Sequence, residues 1–195
     1  ANYSGAINPA SLSFINAARD VVHYRHLLED IELNAYAAYI LELAAAAFGD
    51  SRPLGGWFEQ LRQALVLIDQ QVDPQIITNI VEVRLLGFFG VQPDLQDCVI
   101  CHQKTGNFDF SESYGGLLCP RHYYLDPHRL QLDQRTIYFL RCFSQVDLRR
   151  LHSIKVKNQT KIKLRQALDQ IYDNEVGLNL KARHFLEEMK IWPKD

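Results

Sequence analysis

The most informative segment of this chain is CVICHQKTGNFDFSESYGGLLCPRH, at residues 98–122. Two short turns stand at its ends, Cys98-x2-Cys101 and Cys119-x2-His122, with 17 residues between them. An x2 spacing brings two side chains to one ion, and two such turns separated by roughly 15–20 residues are typical of zinc sites. The sequence therefore predicts one Zn²⁺ bound by Cys98, Cys101, Cys119 and His122.

The expected role of this ion is structural. Four protein ligands complete a tetrahedron and leave no open position for water or substrate. A module of about 40 residues is too short to bury a core of its own, so it needs the folding energy that a bound metal supplies. Between the two turns, residues 108–110 and Gly116–Leu118 are predicted to pair as a short hairpin, which makes the module similar to a zinc ribbon.

Other interpretations of the cysteines are open at this point. The letters CVICH, at residues 98–102, also satisfy the pattern for covalent attachment of a c-type haem, with His102 as an axial ligand. That interpretation requires export and leaves Cys119 and His122 without a role. His102 also competes with His122 for the fourth zinc position, and buried free thiols are a third possibility. Cys142 lies apart on a helical pattern and is predicted to be a core residue.

On both sides of the metal motif, apolar residues recur at helical spacing. A carboxylate at Asp73 followed by Pro74 marks the start of one of these helices. The predicted helices cover residues 27–48, 57–68, 73–87, 133–143, 162–176 and 180–190. The expected fold is therefore mainly α, a helical bundle with a small zinc-ribbon-like β-hairpin module inserted at residues 91–130.

The composition is that of a globular protein, with 47% hydrophobic residues in a chain of 195. Four cysteines are too few for a disulfide scaffold, and together with the lack of an export signal they indicate a reducing cytoplasm. The most apolar stretch, residues 35–48, is interrupted by Glu42 and is too short to cross a bilayer, so it predicts a core helix and no membrane association. The sequence contains no phosphate-binding loop, nucleophile elbow or paired histidine motif, so we predict no enzymatic activity.

The net charge of −2 hides an uneven distribution along the chain. Residues 1–120 carry 6 basic and 14 acidic side chains, whereas residues 121–195 carry 15 and 9. Residues 148–168 hold seven Lys and Arg side chains and no acid, and such charges repel one another unless a partner screens them. We predict a basic face that binds DNA or an acidic peptide; an ordinary solvated helix surface is the alternative. This predicted face comprises Arg149, Arg150, Lys155, Lys157, Lys161, Lys163, Arg165, Lys181 and Arg183.

Several motifs resemble the RecO family of bacterial DNA repair and recombination mediators. The similarity extends over roughly residues 11–191. The stretches that carry it are LEDIELNAYAAYILEL at 28–43, RLLGFFGVQPDLQDC at 84–98, the pairs FS, GG and LC at 110–111, 115–116 and 118–119, and GLNLKARHFLEEM at 177–189. Family members that bind zinc commonly use four cysteines, and here His122 stands at the fourth position, which keeps a tetrahedral donor set.

The resemblance implies a binding role without chemistry. Such proteins bind single- and double-stranded DNA, anneal complementary strands, recognise the C-terminal tail of single-stranded DNA-binding protein, pair with RecR and help to load RecA. The family begins with an OB-fold, a small β-barrel. Residues 1–24 are expected to be the end of that barrel with its linker, in a piece of a longer protein, and residues 25–195 the helical domain. A zinc-stabilised interaction scaffold that does not itself bind DNA is the alternative function.

Overall fold

The described part of the chain is built mainly from helices. A computed structural model describes residues 2–4, 14–17, 21–49 and 52–189. The helices are α1 (Arg25–Glu29), α2 (Ile31–Phe48), α3 (Trp57–Asp69), α4 (Pro74–Leu85), α5 (Gln134–Gln145), α6 (Asn158–Ile171) and α7 (Lys181–Met189). The strands are β1 (Asn2–Ser4), β2 (Phe14–Ala17), β3 (Asp94–Cys98), β4 (Asp109–Ser111) and β5 (Gly116–Leu118). The prediction of a helical bundle with a small inserted β module is confirmed.

Helix α2 lies at the centre of the bundle and contacts α1, α3, α4 and α7. It is long and apolar enough to pass for a membrane span by length and composition, but 56% of it is buried inside the protein, as expected of a core helix. The single helix predicted over residues 27–48 is wrong in one respect. Asp30 breaks it, because its carboxylate accepts the N–H groups of Glu32 at 2.8 Å and Leu33 at 3.1 Å and so begins α2.

Helix α4 begins as the sequence predicts, with the Asp73 carboxylate accepting the N–H of Ile76 and Pro74 in the first helical turn. Its apolar residues, including Ile76, Ile77 and Ile80, are fully buried between α2, α5 and α6. A 3-10 turn at Leu86–Phe89 continues α4 and ends at Gly90, whose φ of 83° is one that glycine adopts without strain. This turn delivers the chain to the metal module.

A buried ion pair joins α4 to α6. The Glu82 side chain is fully buried and receives the Tyr39 hydroxyl at 2.6 Å, and both terminal nitrogens of Arg165 donate to it at 2.8 and 3.0 Å. Burial opposes the charge on Arg165, but Glu82 and Asp169 more than offset that effect and raise the pKa of the guanidinium. The bundle core therefore contains a fully paired charge among its apolar residues.

The C-terminal helix α7 packs back onto α2. Helix α6 ends at Ile171, earlier than the predicted residue 176, and a π-helical turn at Tyr172–Val176 leads to Gly177. Glu42, which interrupts the apolar pattern of α2, accepts the N–H groups of Lys181 and Ala182 at the start of α7. A carboxylate at this end of a helix satisfies donors that have no partner within the helix.

Near the N-terminus, β1 pairs with β2 in an antiparallel arrangement. Strand β2 lies within residues 1–24, the predicted end of a β-barrel with its linker, and residues 21–24 have no regular structure. The rest of residues 1–24, the predicted end of a β-barrel, lies outside the described residues. The division into a barrel remnant and a helical domain stays a prediction.

Candidate metal centre and basic surface

The metal module is a three-stranded sheet of order β3-β5-β4. The predicted hairpin is confirmed as β4 and β5, which pair antiparallel, whereas β3, parallel to β5, was not predicted. Gly116 is required where β5 pairs with β3. A Cβ atom there would lie 2.6 Å from the Asp94 carbonyl oxygen and 2.7 Å from a methyl carbon of Val99, so any side chain would force the strands apart.

Both halves of the metal motif lie at the same end of this sheet, where the parallel strands β3 and β5 end. Cys98 is the last residue of β3, and the chain turns tightly after it, with the His102 N–H donating to the Cys98 carbonyl at 2.8 Å. Cys119 follows β5 directly, and the His122 N–H donates to the Cys119 carbonyl, also at 2.8 Å. Since β3 and β5 are neighbours, both turns open toward the same point.

The four predicted ligands meet there. The donor atoms of Cys98, Cys101, Cys119 and His122 all lie within 4.8 Å of one another. The Cys101 and Cys119 sulfurs are 3.8 Å apart, and His122 Nδ1 lies 3.4 Å from the Cys98 sulfur and 3.3 Å from that of Cys119. A tetrahedral zinc with ordinary bond lengths places two sulfurs about 3.8 Å apart and a sulfur and a nitrogen about 3.5 Å apart. The cluster could therefore hold one metal ion.

The surroundings of the cluster change the pKa values of its thiols. Burial works against ionisation of Cys98, but three nearby backbone N–H groups and the side chain of His122 lower its pKa to about 6. For Cys101, the N–H of Gln103 acts to lower the pKa, but partial burial and two neighbouring thiols raise it. Thiolates crowded in this way repel one another, and a bound cation removes that repulsion.

Polar groups around the cluster support the ligands. The backbone N–H of Cys119 donates to the Cys98 sulfur, and the Arg121 guanidinium donates to the Cys101 sulfur at 3.4 Å and to Gln103 at 3.0 Å. Such outer hydrogen bonds orient ligands and stabilise their charge. Because Arg121 lies between Cys119 and His122, the second turn supplies both two ligands and a stabilising cation.

The other interpretations of these residues gain no support. The His102 side chain is 74% exposed and pairs with Asp97 at 3.2 Å, away from the cluster. Cys98 is fully buried, which leaves its sulfur inaccessible to a haem vinyl group. Cys142 is partly exposed and packs against the edge of the core.

A second polar cluster joins β4 to the segment that follows the metal motif. The Asp109 carboxylate accepts the N–H groups of Gln131 and Leu132, and Arg129 pairs with it at 3.2 Å. The Arg129 guanidinium also lies 4.2 Å from the centre of the Tyr123 ring and donates to the Tyr123 carbonyl. Sequence reasoning missed this pair because its members are 20 residues apart and belong to no motif.

The predicted basic face divides into two groups. Four of its members form ion pairs with carboxylates that lie outside residues 148–168. Lys161 pairs with Asp73 at 2.8 Å, Lys163 with Asp133 at 2.6 Å, Arg165 with Glu82 at 2.8 Å, and Arg183 with Asp173 at 2.7 Å. The hydrogen bond from Lys163 lowers the pKa of Asp133 to about 2. These cations bind the bundle together.

The other members of the predicted face are exposed. Arg149 pairs with Asp147 at 2.6 Å but keeps 59% of its side chain exposed. Within the described part of the chain, no carboxylate forms an ion pair with Arg150, Lys155, Lys157 or Lys181, and all four are exposed. The positive charge that is free to meet a partner is therefore concentrated in residues 149–157, with Lys181 as a further contributor.

Comparisons with known proteins agree with one another. The family model described as recombination protein O C terminal matches residues 28–184. The DNA repair protein RecO of Ligilactobacillus salivarius is 54% identical over 189 residues, which cover 96% of this chain and 73% of that protein. Its namesake in Limosilactobacillus reuteri is 48% identical over 193 residues, covering 99% and 74%. That of Enterococcus faecalis is 42% identical over 190 residues, covering 97% and 72%.

Proposed function

The chain belongs to the RecO family of DNA repair proteins, and we propose that it serves recombinational repair by binding DNA. The family is one of recombination mediators and is not known for an enzymatic activity. The observation that carries the DNA-binding proposal is the group of exposed cations at residues 149–157, which, apart from Arg149, form no ion pair with a carboxylate of the described residues. Lysine and arginine side chains of this kind bind phosphates and release counterions.

The metal in this proposal is zinc, with a structural role. Three sulfurs and one imidazole nitrogen form a donor set that favours Zn²⁺ over the hard cations Mg²⁺ and Ca²⁺. The four donors fill the tetrahedron, so the ion would fix β3 and β5 and leave no site for a substrate. Elemental analysis of the purified protein is expected to find about one zinc per chain, and a different metal or none would contradict the assignment.

The DNA-binding proposal is tested by the salt dependence of single-stranded DNA binding. If three cations contact phosphates, the slope of log affinity against log salt is expected to be about −2, because each single-strand contact contributes roughly −0.7. The charge reversals Arg150→Glu, Lys155→Glu and Lys157→Glu together should abolish measurable binding. The control reverses Arg25, Arg62 and Lys104, which are exposed on other parts of the surface. Equal losses in both variants would show that only net charge matters.

The same experiment separates the alternative function. Replacing Lys161, Lys163 and Arg165 would be a poor test, because these side chains hold carboxylates within the bundle. The charge reversal of Arg150, Lys155 and Lys157 is the better test. If the protein is a scaffold that does not bind DNA, the unmodified chain shows no DNA binding, and the charge-reversed variant keeps its protein partners. In the repair proposal, those partners are RecR and the acidic tail of single-stranded DNA-binding protein, and the setting is the bacterial cytoplasm.

Strand annealing and help in RecA loading complete the proposal. Both activities require the protein to hold single strands without enclosing their bases, and a surface of flexible lysines suits that requirement. Annealing of two complementary oligonucleotides, followed by a fluorescent pair on their ends, is expected to accelerate with this chain and not with the charge-reversed variant. Acceleration that survives the charge reversal would remove residues 149–157 from this role.

A further inference from the structure

Beside the exposed cations lies a groove with an aromatic floor. It has a volume of about 400 Å³ and is lined by Arg135, Tyr138, Phe139, Lys155 and Lys157. One wall is the outer face of α5, and the other is the extended segment that precedes α6. The proposed function uses the two lysines as phosphate contacts but gives no role to the aromatic residues.

The helix wall presents a ring and a cation together. Arg135, Tyr138 and Phe139 stand at positions i, i+3 and i+4 of α5, so their side chains share one face of the helix. Tyr138 is 61% exposed although it is a large aromatic residue. Phe139 lies beneath it with the ring centroids 5.5 Å apart and packs in turn on the buried Phe143 at 5.7 Å. The exposed ring therefore stands on a rigid base.

The opposite wall presents two lysines at regular spacing. In residues 151–157, Ile154 and Val156 pack against the core, so Lys155 and Lys157 project together on the other side of the extended chain. Their Cα atoms are about 7 Å apart because an extended chain rises about 3.3 Å per residue. No carboxylate within the described residues forms an ion pair with either lysine or with Arg135.

The chain segments that form this groove contain few acidic side chains. Residues 127–168 contain two acids, Asp133 and Asp147, and both are held by cations, at 2.6 Å from Lys163 and 2.6 Å from Arg149. The groove thus combines an accessible flat ring with three unpaired positive charges. This combination suits single-stranded nucleic acid, in which bases stack on aromatic rings while lysines follow the phosphates.

We propose that this groove is a single-stranded DNA subsite in which an unpaired base stacks on Tyr138 while Arg135, Lys155 and Lys157 hold the flanking phosphates. The proposal rests on the DNA-binding function above and adds a contact to the bases themselves. A base within a duplex cannot reach the ring, because its faces are covered by its neighbours. The subsite therefore makes the protein prefer single strands over duplex, without reading their sequence.

The test compares an oligothymidine with an abasic oligonucleotide of the same length, which has the same phosphates but no bases. Binding is measured by fluorescence anisotropy at low salt. Tyr138→Ala is expected to raise the Kd for oligothymidine roughly fivefold to a hundredfold, since one stacked base contributes about that much. It should leave binding of the abasic strand unchanged, and Tyr138→Trp should retain binding. Tyr124→Ala, at a tyrosine that is 77% exposed in the metal module, is the matched control.

The possible results separate this inference from the proposed function. If Tyr138→Ala binds oligothymidine normally while Lys155→Gln with Lys157→Gln weakens both strands, the lysines contact phosphates and the stacking proposal is wrong. If the unmodified chain binds neither strand, both the proposed DNA-binding function and the proposed subsite are wrong. If Tyr138→Ala loses binding of a polyglutamate peptide but not of oligothymidine, the groove is a peptide site instead. Equal thermal unfolding of the variants confirms that each is folded.

Discussion

The metal module and the helical bundle achieve order by different means. In the bundle, α2 and α4 bury continuous apolar surfaces, and the charges inside are paired within the protein, as with Glu82 and Arg165. In the module, three short strands bury a smaller apolar set that includes Phe110, Leu117 and Leu118, and four donor atoms converge on a point where one metal ion could bind. From this difference we infer that the bundle is stable without a ligand, and we propose that the module depends on a bound metal.

The largest expected effect breaks the module alone. Cys119→Ser removes one thiolate from the centre of the cluster, so the variant should lose its metal and the ordered structure of residues 91–130. In small zinc modules the metal contributes on the order of 10–16 kcal/mol, more than the module's core can replace. Elemental analysis and circular dichroism together check this prediction. The control is Cys142→Ser, which lies outside the cluster and should retain one metal per chain.

The second largest effect is a loss of stability in the bundle, with the metal module unchanged. Arg165→Met leaves the Glu82 carboxylate buried without its cation, which should cost about 3–5 kcal/mol of unfolding free energy. Lys163→Met, two residues earlier, breaks an ion pair whose partners are each about 40% exposed, and should cost less than about 1 kcal/mol. Urea denaturation measures both. Similar costs at the two positions would mean that burial does not distinguish these ion pairs.

A smaller loss of stability is expected from a substitution where β5 pairs with β3. Gly116→Ala places a methyl group against the Asp94 carbonyl and the Val99 side chain, and should destabilise the module by about 1–3 kcal/mol. The visible result is faster loss of metal to a chelator, with the bundle unaffected. Gly87→Ala is the control, because a methyl group there meets nothing closer than 3.9 Å. Metal loss at an unchanged rate in Gly116→Ala would argue against the β3–β5 pairing.

The smallest effect is local to α7. Glu42→Ala removes the carboxylate that accepts two N–H groups at the start of this helix, at a cost of about 0.5–2 kcal/mol. Amide hydrogen exchange in residues 181–189 should accelerate while the rest of the bundle stays protected. As a comparison, Glu29→Ala removes only an exposed pair with Arg25 and should change little.

What the sequence predicts well is local in character. The grouping of the Cys and His side chains, the hairpin and the cap at Asp73 depend on residues close together in the chain, and the structure has each of these local features. The apolar periodicity of the helices is equally local. The break at Asp30 was missed because a capping aspartate and a helical charged residue look alike in sequence.

What the sequence does not predict depends on partners that are far apart in the chain. Residues 148–168 contain no acid, so their cations look unopposed, yet Glu82 meets Arg165 across 83 positions and Asp73 meets Lys161 across 88. The parallel pairing of β3 with β5 is hidden for a related reason, since β3 carries no apolar alternation. Only the packing of the helices decides which cations stabilise the fold and which remain exposed.

The proposed dependence of the module on a metal is tested most directly by hydrogen exchange of the whole chain before and after a chelator removes the metal. Amides in β3, β4 and β5 are expected to lose their protection while those in α2 and α4 keep theirs. Loss of protection throughout the chain would show that the bundle also depends on the ion. No change anywhere would show that the four donors hold no ion that the fold requires, and the distinction between the two regions would be wrong.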